Sequence, residues 1–216
     1  MSASPQGNSA PARRTQQQRR AETITRLLDA AADAVHELGY AGTTVQEICS
    51  RARLSQGALF RHFPTRKAIL VATALRISEN QISEFAVRFT EIEATPASLL
   101  EALKQVRAVA RGRSNLVWQE LIGAARTDEE LRVELGPALE ELSRRQAKAA
   151  SGFAGELFSS KDDFLSILGI AVNYFDAEAG LALVLPDPAR DDRTLKMLAR
   201  LIITQHPDPR AAEALS

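Results

Sequence analysis

A chain of 216 residues, 45% apolar and 25% charged, can bury a real core as one large or two small globular domains. Its single cysteine, Cys49, excludes an intrachain disulfide and any zinc site built from cysteines. The net charge of zero hides an asymmetry: residues 1–67 hold 10 Lys/Arg against 5 Asp/Glu, and residues 68–216 hold 17 against 22. A basic front on an acidic body suits a front that meets a polyanion. Aromatic residues are scarce while Ala and Leu abound, which favours helices over sheets. The N-terminus carries no apolar run of the signal-peptide kind, so the expected location is the cytoplasm.

Residues 1–18 are Ser, Pro, Gln and Ala without apolar periodicity and read as a disordered leader. Arg13 and Arg14, followed by Arg19 and Arg20, make it either a solubilising tail or an arm that reaches DNA. A first helix is expected over 19–38, where Ile24, Leu27, Leu28, Ala31, Val35 and Leu38 share a stripe and Gly39 supplies a left-handed stop. Thr44-Val45-Gln46-Glu47 spells a capping box for a second helix that ends near Ala52, with Cys49 as a small packing residue. Arg53-Leu54 forms a turn. Ser55 then caps a third helix over Gln56–Phe63, held inward by Leu59 and Phe63.

That packing leaves Gln56, Gly57, Ala58, Phe60, Arg61 and His62 for other faces. A two-turn helix with a glycine near its start is poor on propensity alone and must rest on its packing, as a presented recognition helix does. Residues 44–63 therefore read as a helix-turn-helix. Pro64 breaks the chain, Thr65 caps, and Arg66 stands in the first turn of a fourth helix over 65–92. Further helices are expected over 97–111, from Ser114, and from a second capping box at Thr127, the last with a kink at Gly136-Pro137. Two final helices, 161–184 and 191–205, are joined by Pro186-Asp187-Pro188. The first of these is apolar almost all round and needs burial on every face, its own body on one side and a second subunit on the other. Asn173, Asp176 and Glu178 within it are costly in lipid, so a membrane span is not expected.

From Ile24 to Leu70, the elements Ala30-Ala31, Leu38-Gly39-Tyr40, Thr43-Thr44-Val45, Ile48, Ser55, Gly57, Leu59 and His62-Phe63 resemble the N-terminal domain of TetR-family transcriptional regulators. The resemblance implies an all-α fold of about nine helices: a three-helix helix-turn-helix domain over 19–67 and a helical ligand-binding and dimerisation domain over 68–216. It implies that Thr44 and Ser55 contact phosphate and that Gln56, Gly57, Ala58 and Arg61 lie nearest the bases. Arg66, in place of the family's usual lysine, would hold a phosphate. Three positions depart from the family: Arg53 for the turn glycine, Phe60 for a tyrosine, which reduces it to a packing contact, and Lys67 for an acidic residue, which adds charge near the groove. His62 is expected to pack or bond locally rather than touch a base.

The expected function is a ligand-responsive transcriptional repressor that binds a near-palindromic DNA operator as a homodimer through helices 161–184 and 191–205. The resemblance also implies an effector pocket, placed at Phe85, Phe89, Trp118, Ile122, Asn173 and Tyr174 and suited to a small apolar or aromatic molecule. The alternative is a helical ligand- or partner-binding protein whose degenerate helix-turn-helix does not read DNA. No phosphate loop, two-histidine metal motif or nucleophile elbow is present, and His36, His62 and His206 are scattered, so no catalysis, metal or cofactor is expected.

Overall fold

The computed structural model describes residues 15–90, 96–150 and 161–205. The expectations for Arg13 and Arg14, and those for the side chains of Phe85 and Phe89, fall outside the described residues. Among the described residues there are nine α-helices and no strand. They are α1 (Gln16–Gly42), α2 (Val45–Ala52), α3 (Gln56–Phe60), α4 (Arg66–Thr90), α5 (Pro96–Ala110), α6 (Arg113–Ala125), α7 (Glu129–Ala150), α8 (Lys161–Val184) and α9 (Pro188–Gln205).

Several ends differ from those expected, each for a local reason. The first helix starts earlier because Thr15 and Gln18 form a reciprocal capping box. Thr44 caps α2 by accepting from the Glu47 amide at 3.1 Å, but the Glu47 carboxylate turns to Arg51 Nε at 2.6 Å instead of closing a box. At α7 the cap is Asp128, which accepts from the Leu131 amide at 3.0 Å, and Thr127 bonds back to Ala124. The helix continues through Pro137 to Ala150. The α9 helix begins at Pro188, suited to a first helical position, with Asp187 capping Arg190 N at 3.0 Å. Gly39 has a φ of 70° and breaks α1 as expected.

The buried side chains form two clusters. The first joins Leu27, Val35, Ile48, Leu59, Ile69 and Leu70 of α1–α4 to Trp118 and Leu121 of α6 and Leu131 and Leu135 of α7. Each such side chain contributes about 1.5–3 kcal/mol by leaving water. The second joins Leu99, Leu103 and Val106 of α5 to Ala171 and Phe175 of α8 and Leu195 and Ile202 of α9. Here α5 packs against both α8 and α9, rather than α9 simply pairing with α8.

Polar groups occupy the region between the clusters. Gln81 of α4 donates to Asn115 of α6 at 3.1 Å. Asn115 and Gln119 donate to the two carboxylate oxygens of Asp176 on α8, at 2.8 and 2.6 Å. Burial pushes the Asp176 carboxyl above its ordinary range, and the two amides oppose that shift. Beside it, Arg107 of α5 and Arg111 just after its end hold Glu178 and Asp191, whose side chains are both 4% exposed, with Arg107 3.0 Å from each.

Candidate nucleic-acid interface

The α2–α3 unit follows from a few choices in the sequence. Ile48 and Leu59 are fully buried, and Leu54 and Phe63 pack at the edge of the same cluster. Between the two helices Arg53 has φ 52° and ψ 48°, so the departure from glycine leaves the left-handed turn intact. A residue with a Cβ holds that conformation at a cost of about 1–2 kcal/mol. The Arg53 amide donates to Ser50 O at 3.1 Å, and Arg26 Nη2 caps the end of α2 at Ala52 O, 2.5 Å away. Ser55 Oγ accepts from the Ala58 amide at 3.1 Å and starts α3.

The α3 helix is five residues long, shorter than expected, because Arg61 is already its C-cap and the chain turns through His62. Its packing depends on Leu59. Its outer face presents Ser55, Gln56, Gly57, Phe60 and Arg61 exposed, with Ala58 and His62 half-buried. Phe60 is 47% exposed and lies on that outer face, among the residues left free by the packing of Leu59. His62 Nδ1 is buried without a hydrogen-bond partner. A Cβ built on Gly57 would meet only Ser55 Oγ, at 3.9 Å, so nothing within the chain requires a glycine there.

The charges around this unit divide into two groups. Acidic residues at helical spacing on α1 face the frame: Asp29 takes Arg76 at 2.7 Å, Asp33 takes Arg113 at 2.8 Å, and Glu37 takes Arg51 at 2.7 Å. Arg66, assigned a phosphate by resemblance, is turned inward. Its guanidinium donates to the carbonyls of Tyr40 and Thr43 and lies 4.3 Å from the centre of the Tyr40 ring. Lys67, expected to add charge near the groove, pairs with Asp128 at 2.9 Å and with Glu130. By contrast, the side chains of Arg19, Arg20, Arg53 and Arg61 make no ion pair or hydrogen bond among the described residues.

Tyr40 is the joint between this unit and the body, a role that sequence reasoning missed. Its amide donates to Glu120 of α6 and its hydroxyl to Asp128, both at 2.7 Å. Burial, followed by the bond to Asp128, raises the Tyr40 phenol above its ordinary range. Asp128 is held well below the usual carboxylate range by the Leu131 amide, then Tyr40, then Lys67. Lys67 is raised in turn by Glu130 and Asp128. The available signal was the run of acids at Asp128-Glu129-Glu130, which reads only as a helix start.

Of the residues assigned to the effector pocket, the four whose side chains are described do not converge. Trp118 and Ile122 pack in the cluster with α1 and α4. Asn173 and Tyr174 lie on the outer side of α8, where Tyr174 is 38% exposed and Asn173 bonds back to Gly169 O at 2.9 Å. What the structure brings together between α4, α6 and α8 is the polar set Gln81, Asn115, Gln119 and Asp176. Amide side chains on mostly apolar helices gave no signal for it in the sequence.

A family model described as bacterial regulatory proteins, tetR family, matches residues 27–73. An uncharacterized HTH-type transcriptional regulator of Mycobacterium tuberculosis is 39% identical over 189 residues, which are 88% of this chain and 97% of that protein. The HTH-type transcriptional regulator CymR of Pseudomonas putida is 28% identical over 187 residues, 85% of this chain and 91% of its own. Among solved structures, FadR from Bacillus subtilis in complex with stearoyl-CoA matches with a TM-score of 0.62 at 16% identity, covering 83% of this chain and 97% of that one. A TetR-family regulator from Streptomyces coelicolor matches with a TM-score of 0.61 at 21% identity, over 86% and 99%. The structural likenesses agree in fold, and the mycobacterial alignment spans both the helix-turn-helix and the helical body. The chain belongs to the tetR family of bacterial regulatory proteins, as an all-helical DNA-binding transcriptional regulator.

Proposed function

We propose that this regulator is a cytoplasmic homodimeric repressor that reads a near-palindromic operator with α3 and is released by a small effector. The observation that carries the reading is the face of α3: a five-residue helix anchored by one buried leucine, with polar and cationic side chains outward and an unforced glycine in its first turn. Within this scheme Gln56, Ala58 and Arg61 read base edges, Thr44 and Ser55 meet phosphates, and Gly57 allows close approach. Residues 19–67 act as the reading head and 68–216 as the regulatory body, although their packing is shared.

Support for the dimer comes from α8 and α9. Ile170, Leu181, Leu183, Val184 and Met197 are exposed, Leu183 by 71% and Val184 by 84%. Ser166–Val184 is apolar enough by length and composition to raise the question of a membrane, with a mean hydropathy of 1.5. Its Asp176 and Glu178 bond to α5 and α6 of the same chain, which favours a protein partner for the opposite side. For the effector, the place favoured is the region between α4, α6 and α8, where Asn115, Gln119 and Asp176 give an otherwise apolar or aromatic molecule a polar end to bond. The neighbouring FadR structure, with stearoyl-CoA bound, supports a body of this fold as a small-molecule holder.

Selection of bound sequences from a random duplex pool tests the reading. The expected outcome is two inverted half-sites about one helical turn, or a multiple of it, apart. Enrichment of no sequence would overturn it in favour of a degenerate helix-turn-helix.

A further inference from the structure

Arg53 stands where the chain reverses between α2 and α3, and it is the one non-glycine residue of positive φ among the described residues. Left-handed backbone favours glycine over any residue with a Cβ. The turn uses only the main chain of residue 53: its N–H donates to Ser50 O at 3.1 Å, and its carbonyl accepts from Arg26 Nη2 at 3.5 Å. Glycine would build the same turn without strain. The Arg53 side chain is exposed and has no ion pair or hydrogen bond among the described residues. A strained position whose side chain does nothing for its own fold points to a use outside the chain.

The neighbouring cations sharpen the point. Arg26 caps α2, Arg51 pairs with Glu37 and Glu47, Arg66 bonds two carbonyls, and Lys67 pairs with Asp128. Arg53 is left out of all of this and adjoins the exposed face formed by Ser55, Gln56, Gly57, Phe60 and Arg61. Two free guanidinium groups therefore flank the reading helix, Arg53 before its start and Arg61 at its C-cap.

We propose that Arg53 is a phosphate-binding residue of the DNA interface, holding a backbone phosphate beside the start of α3 and so setting how α3 is seated in the groove. A planar guanidinium fork matches phosphate geometry, and a phosphate contact fixes register without itself reading sequence. This rests on the DNA-reading function proposed above.

The test compares the native chain with Arg53→Gly, Arg53→Gln and Arg53→Lys in full length. Each is melted, and each is titrated over a salt series with two duplexes, one carrying DNA that flanks its own gene and one of random sequence. Arg53→Gly is expected to melt at or above the native temperature yet bind both duplexes about tenfold more weakly at low salt. Its salt slope should fall by about one unit for each half-site. Arg53→Gln should bind as weakly as the glycine variant, and Arg53→Lys should keep most of the affinity. Native affinity and slope in Arg53→Gly would overturn the proposal, as would a loss confined to one sequence or a loss that follows a lowered melting temperature. Absence of salt-dependent binding by the native chain would overturn the DNA-reading function as well, whereas native binding with an unaffected glycine variant overturns only the role of Arg53.

Discussion

The reading head and the α8–α9 region each leave something unsatisfied at their surface, and the two are opposite in kind. Around α3 the apolar side chains other than Phe60 are buried or half-buried, while guanidinium groups at Arg53 and Arg61 stand without partners among the described residues. On α8 and α9 the buried charges are settled internally, Glu178 and Asp191 against Arg107 and Arg111, while Ile170, Leu181, Leu183 and Val184 face solvent. A free cation calls for an anion, and a free apolar face calls for another apolar face. The first partner fits DNA, and the second fits another copy of the chain.

The largest expected effect comes from spoiling the apolar side of this contrast. Leu181→Glu should give a monomer by sedimentation with unchanged helicity, and operator affinity should fall by about a hundredfold or more as two-headed binding is lost. A stable dimer in that variant would place the interface elsewhere. Next is the buried charge cluster: Arg107→Ala leaves Glu178 with only Arg111, at 3.4 Å. It should destabilise the chain near the lower end of about 3–5 kcal/mol in denaturant unfolding.

On the cationic side, Arg61→Ala should cost about 1–3 kcal/mol and relax preference at a single base pair. A uniform loss over all sequences would make Arg61 a phosphate contact instead. Gly57→Ala should stabilise the fold by about 0.5–1 kcal/mol while weakening operator binding, because its constraint comes from outside the chain. The smallest effect concerns pH. Asp128 has a depressed carboxyl, so its contribution is complete above the ordinary value of 3.8 and is lost as pH falls toward the lowered folded value. The acid-side melting curve of Asp128→Asn should therefore be flatter than that of the native chain below about pH 4. An identical acid-side curve would mean that Asp128 does not hold Tyr40 and Lys67 in solution.

The helix order and most boundaries were legible because apolar spacing and caps are local: the stripe of α1 apart from Leu38, which is 46% exposed, with Thr44, Ser55, Thr65 and the span of α8, stands where periodicity put it. The face of α3 was legible for the same reason, since Leu59 settles which residues it leaves outside. What was hidden depends on partners far along the chain. The partners that Arg66 and Lys67 take within the chain are the carbonyls of Tyr40 and Thr43 for the first and Asp128 and Glu130 for the second. Trp118 could be read as core or as pocket lining, because its apolar neighbours on α6 serve α1 as well as they would serve a pocket; it packs in the cluster with α1 and α4. The amides around Asp176 are single polar residues on otherwise apolar helices, a pattern that looks the same whether they meet or not.

The central claim is that α3 reads a specific operator from both halves of a dimer. The most direct measurement is a titration of the native chain against DNA flanking its own gene, with random-sequence duplex as competitor and with the bound mass determined. The account predicts two chains per half-site pair and a preference of about a thousandfold or more over random duplex. Equal affinity for both duplexes, or one chain per bound site, would contradict it.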